Sequence, residues 1–371
     1  MLAVTGMGMV SSLGLDVVTS CAAARAGINR IGALDDMWIV DDESEEAALL
    51  VGHQVPLISP GVFGYARLLQ LAISAIEDLR RNDPTAEQRP VGLILVLGSG
   101  WHRTAWIEKR KKAPPDPPPP GDWAADERAL GAETQRLAST FLATLVARAR
   151  ITVQPAAQRI IFGDQSGFVM ALEQAATWLN QGACETCWVG GIDSYLDPPT
   201  IKALIGLELL RTPDNAVGLI PGEMGCFLCL KSSRRRGAGE ALATIEAVGL
   251  ASGASKRTEE APSTSQPMVQ AMATAGGGQP MEMSVVNLNG DTARSNEWGG
   301  VLVRRKSQGL ADGLPFWIPP LHFGEIGSAT GPASIALLVR GWARGYAPAS
   351  RALVGLMDAG PTRGAVAVNG P

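Results

Sequence analysis

Histidine and cysteine are scarce in this sequence. Three of the 371 residues are histidine and five are cysteine. Cys21, Cys226 and Cys229 lie in apolar or alanine-rich stretches, which is typical of unreactive core thiols in a protein of the reducing cytoplasm. Cys184 and Cys187 form a C-x-x-C motif, but no second cysteine pair and no thioredoxin-like context accompany it. We therefore interpret this pair as structural rather than as a zinc or redox site.

A strong net charge and long apolar runs are also missing. The formal net charge of −4 gives no argument for nucleic-acid binding, and no apolar run reaches the roughly 20 residues of a membrane helix. The first ten residues, MLAVTGMGMV, lack the charged region of a signal peptide and predict a buried strand that runs into a glycine turn. We therefore expect a cytoplasmic protein. With 46% hydrophobic and 18% charged residues, the chain can form two domains or one large domain made of two halves.

The stretch from Ile160 to Asp193, IIFGDQSGFVMALEQAATWLNQGACETCWVGGID, carries the clearest local pattern. It predicts a short strand, a turn of small residues at 163–167, a helix that ends at Gly182, and a second buried strand. A strand-to-helix elbow of this kind places one side chain and the neighbouring backbone amides at a helix N-terminus, where an anion or oxyanion is stabilised. We therefore expect the functional site at this elbow.

The chain also shows a weak internal duplication. Gly163 to Gly167 and Gly327 to Gly331 have the same spacing, and each opens a predicted helix. Strands are predicted at 2–5, 91–97, 243–250, 284–288 and 353–357, and helices at 17–26, 66–81 and 335–342. This pattern predicts two similar halves whose sheets pack together, with helices between and outside them.

Three segments are expected at the surface. The basic run Glu108–Lys112 leads into the proline-rich residues 113–121, which cannot continue a helix and predict a polyproline-like segment. Residues 252–280 are rich in small and polar residues and predict a loop with a short helix near 268–274. Residues 232–237 predict a linker between a first half, 1–236, and a second half, 237–371.

Several motifs resemble those of the β-ketoacyl synthases, and they occur in the same order. They are V-T-G-M-G-M-V-S-S-L-G at 4–14, the segment 182–194 ending in G-G-I-D-S, and the segment 209–230 with its matching residues Arg211, Asp214, Gly218, Gly222 and Glu223. The resemblance covers most of the chain. It implies an α/β protein with the thiolase-like αβαβα layered fold, made of two duplicated halves. It also implies a dimer formed through the strand and the helix beside the elbow.

The residues that perform the chemistry of that family are replaced here. The family's nucleophilic cysteine lies three residues before the position of Gly167, where this sequence has Asp164. Its first histidine corresponds to Asn289, and its second corresponds to Glu325, or to Ser328 in a shifted register. The glycine-rich loop that supplies an oxyanion-hole amide is reduced to residues 358–364. An aspartate at a helix N-terminus is stabilised as an anion and is a poor acyl acceptor, so the usual thioester transfer is not expected.

The histidines offer few substitutes for the missing groups. His53 is expected at the surface. His102 follows a glycine-rich turn at the end of a buried strand that approaches the active site in the family, and it is a candidate pocket residue. His322 precedes the altered second-histidine segment and is another candidate, with an ordinary loop histidine as the alternative. Ser166 and Ser328 complete the pocket candidates, and no cofactor or metal is assigned.

The replacement residues allow two interpretations. In the first, five polar residues converge into one pocket that acts as general acid and base or binds a hard cation: Asp164, Asn289, Asp291, Glu297 and Glu325. In the second, Asp164 and Glu325 cap the helices that follow them, and Glu297 forms an ion pair with Arg294. The loss of all the usual groups together favours the second interpretation.

Two functions follow as hypotheses. The first is a catalytically silent subunit, similar to a chain-length factor, that pairs with an active β-ketoacyl synthase in fatty-acid-like or polyketide biosynthesis. The second is an enzyme that uses Asp164 with Glu325 or His102 to decarboxylate or hydrolyse an acyl thioester. The implied partners are an active synthase in a heterodimer, or a second copy in a homodimer. An acidic acyl carrier protein could also be contacted by the basic runs 109–112 and 234–236. No nucleic acid and no membrane are expected as partners.

Overall fold

A ten-stranded sheet runs through the molecule and takes its strands from both halves of the chain. The computed structural model describes residues 1–40, 47–58, 60–113, 121–233, 241–253, 264–279, 282–307 and 315–371. A separate small sheet contains two further strands, β2 and β3. In chain order the strands are β1 Leu2–Ser11, β2 Gly32–Val40, β3 Ala47–Gly52, β4 Val91–Leu97, β5 Val153–Phe162, β6 Thr186–Ser194, β7 Glu223–Ser232, β8 Ala243–Ser252, β9 Met283–Val286, β10 Phe316–Trp317, β11 Arg351–Met357 and β12 Thr362–Asn369.

Helices cover both faces of this sheet. In chain order they are α1 Val17–Arg25, α2 Gly64–Asn82, α3 Trp101–Lys112, α4 Trp123–Arg136, α5 Leu142–Ala149, α6 Gly167–Gln181, α7 Pro198–Gly206, α8 Gln266–Gly276, α9 Thr292–Ser307, α10 Pro320–Phe323 and α11 Thr330–Ala343. A π-helical turn at Leu137–Phe141 joins α4 to α5, and a 3-10 turn at Gly327–Ala329 precedes α11. No helix within the described ranges is both long and apolar enough to span a bilayer.

The strand order is the same in the two halves of the sheet. It reads β5-β4-β6-β7-β1 in the first half and β10-β9-β11-β12-β8 in the second. The directions also repeat, because β4 is parallel to β5 and β6, β9 is parallel to β10 and β11, and the remaining pairs within each half are antiparallel. The halves join where Leu2–Val4 pair with Ala243–Ile245. The duplicated fold expected from the sequence is therefore confirmed.

The helices form three layers around the two halves of the sheet. α6 and α11 lie in the middle layer, where each contacts strands of both halves. α2 packs on the outer face of the first half, and α8 packs on the outer face of the second. Phe168 of α6 and Leu338 of α11 are fully buried in the central core, and full burial of such a side chain stabilises the fold by about 1.5–3 kcal/mol. The layer order is αβαβα.

The predicted glycine turn near the N-terminus is wrong, because β1 continues to Ser11. A register shift between Val4 and Gly6 disturbs the pairing without ending the strand. Gly8 lies directly beneath α2, since a Cβ atom built there would be 2.2 Å from the carbonyl oxygen of Ala75 and 2.2 Å from the amide nitrogen of Leu79. Glycine therefore allows a helix to approach the strand closely and does not form a turn.

Most other elements agree with the sequence patterns. The predicted helices near 17–26, 66–81 and 268–274 correspond to α1, α2 and α8. α11 begins at Thr330 rather than at the predicted Ile335, and its first five residues, 330–334, are buried. Three predicted surface segments are only partly covered: residues 114–120, 234–240 and 254–263, which include the proposed boundary between the halves, lie outside the described residues.

Candidate functional site

The elbow of the first half and its counterpart in the second half meet at the centre of the molecule. β5 ends at Phe162 and α6 begins at Gly167, while the turn at Gly327–Ala329 leads into α11. Gly191 on β6 lies against this second turn, because a Cβ atom built there would be 2.2 Å from the carbonyl oxygen of Ser328. Small residues therefore allow both elbows to reach one shared site.

Each elbow is held by an aspartate from the other half. Asp358, which follows β11, accepts hydrogen bonds from the amide nitrogen of Ser166 at 2.7 Å and from its hydroxyl. Asp193, in β6, accepts one from the amide nitrogen of Ser328 at 2.9 Å. The N-terminus of a helix is where an anionic ligand is stabilised. At α6, a carboxylate of the protein itself occupies this position.

These two aspartates carry raised pKa values. Burial raises the pKa of Asp193 to about 7, and the nearby charges of Asp164 and Glu325 act in the same direction. Burial and the charge of Asp164 also raise the pKa of Asp358 to about 7, against the hydrogen bonds from Ser166. Both carboxyl groups therefore titrate close to neutral pH.

Glu325 lies at the centre of a buried hydrogen-bond network. Its Oε1 accepts from Gln165 Nε2 at 2.8 Å and from the amide nitrogen of Gly327 at 3.0 Å. Its Oε2 accepts from Arg294 Nη1 at 2.7 Å and from Asn289 Nδ2 at 2.5 Å. The carboxylate is 1% exposed. Because a carboxylate has about four acceptor positions, these four donors saturate it, and the network joins Asn289 and Glu325, the two residues that the sequence motifs aligned with histidines.

The predicted ion pair between Glu297 and Arg294 is wrong. Arg294 binds Glu325, whereas Glu297 forms a bidentate pair with Arg363 at 2.6 and 2.8 Å. Both arginines are buried, and each pairs with the carboxylate that lies nearest to it in the folded protein. Asp291 accepts from the amide nitrogen of Ala293 at 2.9 Å, at the start of α9.

Asp164 stands at the edge of this network and is half-buried. Its Oδ1 accepts from the hydroxyl of Ser99 at 2.7 Å and from the amide nitrogen of Ser99 at 3.4 Å. Ser166 occupies the N-cap position of α6, and its amide is bonded to Asp358. The predicted capping of α6 by Asp164 is therefore wrong. Glu325, in contrast, does accept an amide hydrogen bond from the turn that follows it.

The three histidines occupy different surroundings. His102 is buried, and its ring meets those of Trp101 and Tyr195 edge to face, with centroid distances of 5.1 and 5.0 Å. Tyr195 lies against the second elbow, since a Cβ atom at Gly327 would be 2.8 Å from Tyr195 Cε2. Tyr195 thus lies between His102 and the second elbow.

The other two histidines lie elsewhere. His322 is half-buried and lines a separate cavity beside α11. The predicted surface position of His53 is wrong, because this residue is 1% exposed. It is covered by Gly324, where a Cβ atom would be 2.7 Å from the imidazole Cδ2 atom. Burial lowers the pKa of His53 to about 4.

The remaining nucleophile candidates are engaged or unreactive. The hydroxyl of Ser328 donates to the carbonyl oxygens of Val96 at 3.1 Å and Ile192 at 3.0 Å. All five cysteines are buried and free, and burial raises the pKa of the Cys21 thiol to about 12. Among the described residues, no three histidine, cysteine, aspartate or glutamate side chains cluster as metal ligands.

Sequence reasoning missed several residues of this site. Asp193 lies near the end of β6, and Asp358 directly follows β11, the equivalent strand of the second half. An aspartate at the end of each apolar strand was therefore a usable signal. Gln165 and Tyr195 carried no such signal, and Arg294 was predicted to pair with Glu297 rather than with Glu325.

Comparison with known proteins supports the fold. No protein-family model matches the sequence, and no curated protein matches it. An oxazolomycin ketosynthase domain of Streptomyces albus is 14% identical with a TM-score of 0.74, over 100% of this chain and 74% of that one. The ishigamide ketosynthase/chain length factor is 18% identical with a TM-score of 0.65, over 100% of this chain and 99% of that one.

A third similar structure is that of a type II polyketide synthase acyl-carrier protein in complex with its ketosynthase, which is bound to the hexaketide. It is 14% identical with a TM-score of 0.73, over 100% of this chain and 99% of that one. The chain therefore has the thiolase-like fold of the ketosynthases.

Proposed function

We propose that this protein is a catalytically silent, ketosynthase-like subunit, similar to a chain-length factor. It pairs with an active β-ketoacyl synthase in polyketide or fatty-acid-like biosynthesis. The observation that carries the proposal is the composition of the elbow. Asp164 stands where the resemblance places the nucleophile, and Asp358 is bonded to the amide of Ser166, the N-cap residue of α6. An incoming thioester finds no thiolate to attack it at this position, and the nearby amide of Ser166 is already bonded to Asp358.

The second support is the state of the groups at the histidine positions. A general base needs a lone pair that can accept the substrate's proton. The carboxylate of Glu325 already accepts four hydrogen bonds, one of them from the buried guanidinium of Arg294. The amide of Asn289 is not a base at neutral pH. The network is suited to holding the two halves together rather than to moving protons.

The third support is the face beside the elbow. Within the described residues β5 has a single neighbour, β4, so its other edge is free for pairing. Beside it, α6 exposes Met170 to 46%, and Arg159 of β5 donates to Gln174 of α6 at 2.5 Å. An apolar side chain next to an open strand edge fits a partner of the same fold, paired edge to edge.

The basic run at the end of α3 is a weaker candidate for contact with an acyl carrier protein. Lys109, Arg110 and Lys111 form ion pairs with carboxylates of the chain itself. Residues 234–236 lie outside the described residues. Carrier-protein binding is therefore proposed from the similar structures rather than from this run.

The test is co-expression with a ketosynthase that retains cysteine and both histidines and is encoded beside this protein. We expect a 1:1 complex in native mass spectrometry, and product formation that depends on the partner's cysteine. Asp164→Ala in this chain should leave the rate of product formation within about twofold, because Asp164 has no chemical step to perform. The partner's cysteine-to-alanine variant is the control that abolishes the product.

A different result overturns the proposal. It fails if the protein alone forms a stable homodimer that decarboxylates or hydrolyses malonyl or acyl thioesters, and if Asp164→Ala removes that activity. Asp214→Asn, at an exposed position remote from the elbow in sequence, serves as the matched control in this assay. Such an outcome would assign Asp164 a chemical role.

A further inference from the structure

A cavity that is lined in part by His322 of α10 contains no residue of the elbow network. Its volume is about 240 Å³, and it is bounded by the end of α1, by residues 317–322 and by α11. Trp317, Leu337 and Tyr346 form its apolar walls, with 5.9 Å between the ring centroids of Trp317 and Tyr346. Drug-sized sites measure about 300–1,000 Å³, so this cavity suits a smaller molecule.

The aromatic walls are held in place by the packing on α11. A Cβ atom at Gly341 would be 2.7 Å from Trp317 Cη2 and 3.3 Å from Tyr346 Cε2. Both rings therefore lie close against the backbone of this helix. The cavity thus has rigid walls, which reduces the entropic cost of ordering them around a ligand.

One side of the cavity carries a positive charge. Arg25, in the last turn of α1, lies with its guanidinium carbon 5.0 Å from the centroid of the Tyr346 ring. No acidic side chain occurs among the described residues that line the cavity. In the part of the chain that the structure describes, the ion pairs do not include Arg25. The guanidinium is therefore available to an anionic group at the mouth of the cavity.

We propose that this cavity binds a small amphipathic carboxylate. Its apolar body would lie between the rings of Trp317 and Tyr346, and its carboxylate would pair with Arg25. Burial of the apolar body supplies the affinity, and the guanidinium selects the charge. The inference is independent of the proposed function, because the cavity contains no residue of the elbow network.

The experiment measures the binding of sodium octanoate and of 1-octanol to the intact protein by isothermal titration calorimetry. Octanol has the same chain without the charge. We expect saturable octanoate binding that is at least fivefold tighter than octanol binding. Arg25→Gln should weaken octanoate binding five- to tenfold and leave octanol binding within twofold. Arg30→Gln, an exposed arginine outside the cavity lining, is the matched control and should change neither.

A second variant tests the position of the ligand. Leu337→Trp fills the cavity and should abolish the binding of both compounds, with folding checked by circular dichroism. Should this variant fail to fold, the comparison of Arg25→Gln with Arg30→Gln decides the question alone. The proposal is overturned if the wild type shows no saturable octanoate binding, if octanol binds as tightly as octanoate, or if Arg25→Gln binds octanoate like the wild type.

Discussion

The buried carboxylate of Glu325 and the buried guanidinium of Arg294 stabilise each other. Glu325 has four hydrogen-bond donors around it, and Arg294 is one of them. The arginine side chain is 5% exposed. A buried guanidinium that loses its carboxylate remains charged in a poorly solvated place, so the two residues depend on each other.

This dependence predicts a large loss of stability on truncation of the glutamate. Glu325→Ala should lower the free energy of unfolding by about 3–5 kcal/mol, because it leaves Arg294 buried without its partner. Asp164→Ala removes a half-buried carboxylate with hydrogen bonds only to Ser99 and should cost about 1 kcal/mol or less. Urea denaturation followed by circular dichroism measures both values. Equal losses in the two variants would contradict the central role of Glu325.

The aspartates at the elbows predict a dependence of stability on pH. An aspartate titrates near pH 3.9 in an unfolded chain, whereas the pKa of Asp358 is raised to about 7 by burial. Between about pH 4 and 7 the folded protein holds more protons than the unfolded chain, so the contribution of this group to stability falls as the pH rises. The Asp358→Asn variant has no carboxyl group at this position, so its stability lacks this pH-dependent contribution.

The corresponding measurement compares urea unfolding of wild type and Asp358→Asn at pH 4.5, 6 and 8. The stability of the wild type relative to the variant should decline by about 1–3 kcal/mol over this range, since one pKa unit corresponds to about 1.4 kcal/mol. A constant difference between wild type and Asp358→Asn would show that the carboxyl is charged throughout.

At the scale of elements, β5 and α6 form the surface where we propose that the partner binds. Met170→Asp places a charge on the exposed side of α6 and should weaken the complex with the partner synthase at least tenfold, because a charge in a buried interface is poorly solvated. Val303→Asp, on the exposed side of α9, replaces another exposed apolar residue and is the control. Analytical ultracentrifugation of the complexes measures the effect. Equal affinities of the two variants would exclude this face.

The elements themselves were largely predictable from the sequence, because their burial follows local patterns. The buried strand at 91–97 and the helix that Gly182 ends were recognised from apolar periodicity and from a terminating glycine. The turn predicted at Gly6–Gly8 was wrong because a glycine in a strand and a glycine in a turn look alike in sequence. Only the contact with Ala75 and Leu79 of α2 distinguishes them.

The site was less predictable than the elements. The positions of Asp164, Asn289 and Glu325 followed from motif spacing, but their partners did not. Gln165 lies 160 residues from Glu325, and Ser166 lies 192 residues from Asp358. No local pattern encodes hydrogen bonds across such distances. The choice of Arg363 rather than Arg294 as the partner of Glu297 likewise depends on a contact between residues that are 66 positions apart in the sequence.

At the scale of the whole molecule, the two halves share one central layer. The central core contains residues of both halves, among them Phe168 of α6 and Ile335 of α11. A Cβ atom at Gly331 would be 2.3 Å from Phe168 Cδ1, so α11 packs directly on this ring. Neither half can keep its side of this layer buried without the other.

The shared layer predicts one cooperative unfolding transition for the halves that we propose at 1–236 and 237–371. Differential scanning calorimetry should give a single peak whose calorimetric and van't Hoff enthalpies agree. Phe168→Ala should lower the stability by about 3–5 kcal/mol and still give one peak, because it weakens a core that both halves use. Two separate transitions, in the wild type or in the variant, would show that the halves fold independently.

The network around Glu325 also restricts the evolutionary routes that lead away from this sequence. A change of Asp164 to cysteine restores one of the family's three groups and leaves Asn289 and Glu325 in place. Returning a histidine to position 325 deprives the buried guanidinium of Arg294 of its counter-charge and removes the acceptor of Gln165. A histidine at position 325 is therefore expected to destabilise the fold while Arg294 remains in place. The buried network thus ties position 325 to positions 165 and 294, so a substitution at 325 requires compensating changes at the residues that it contacts.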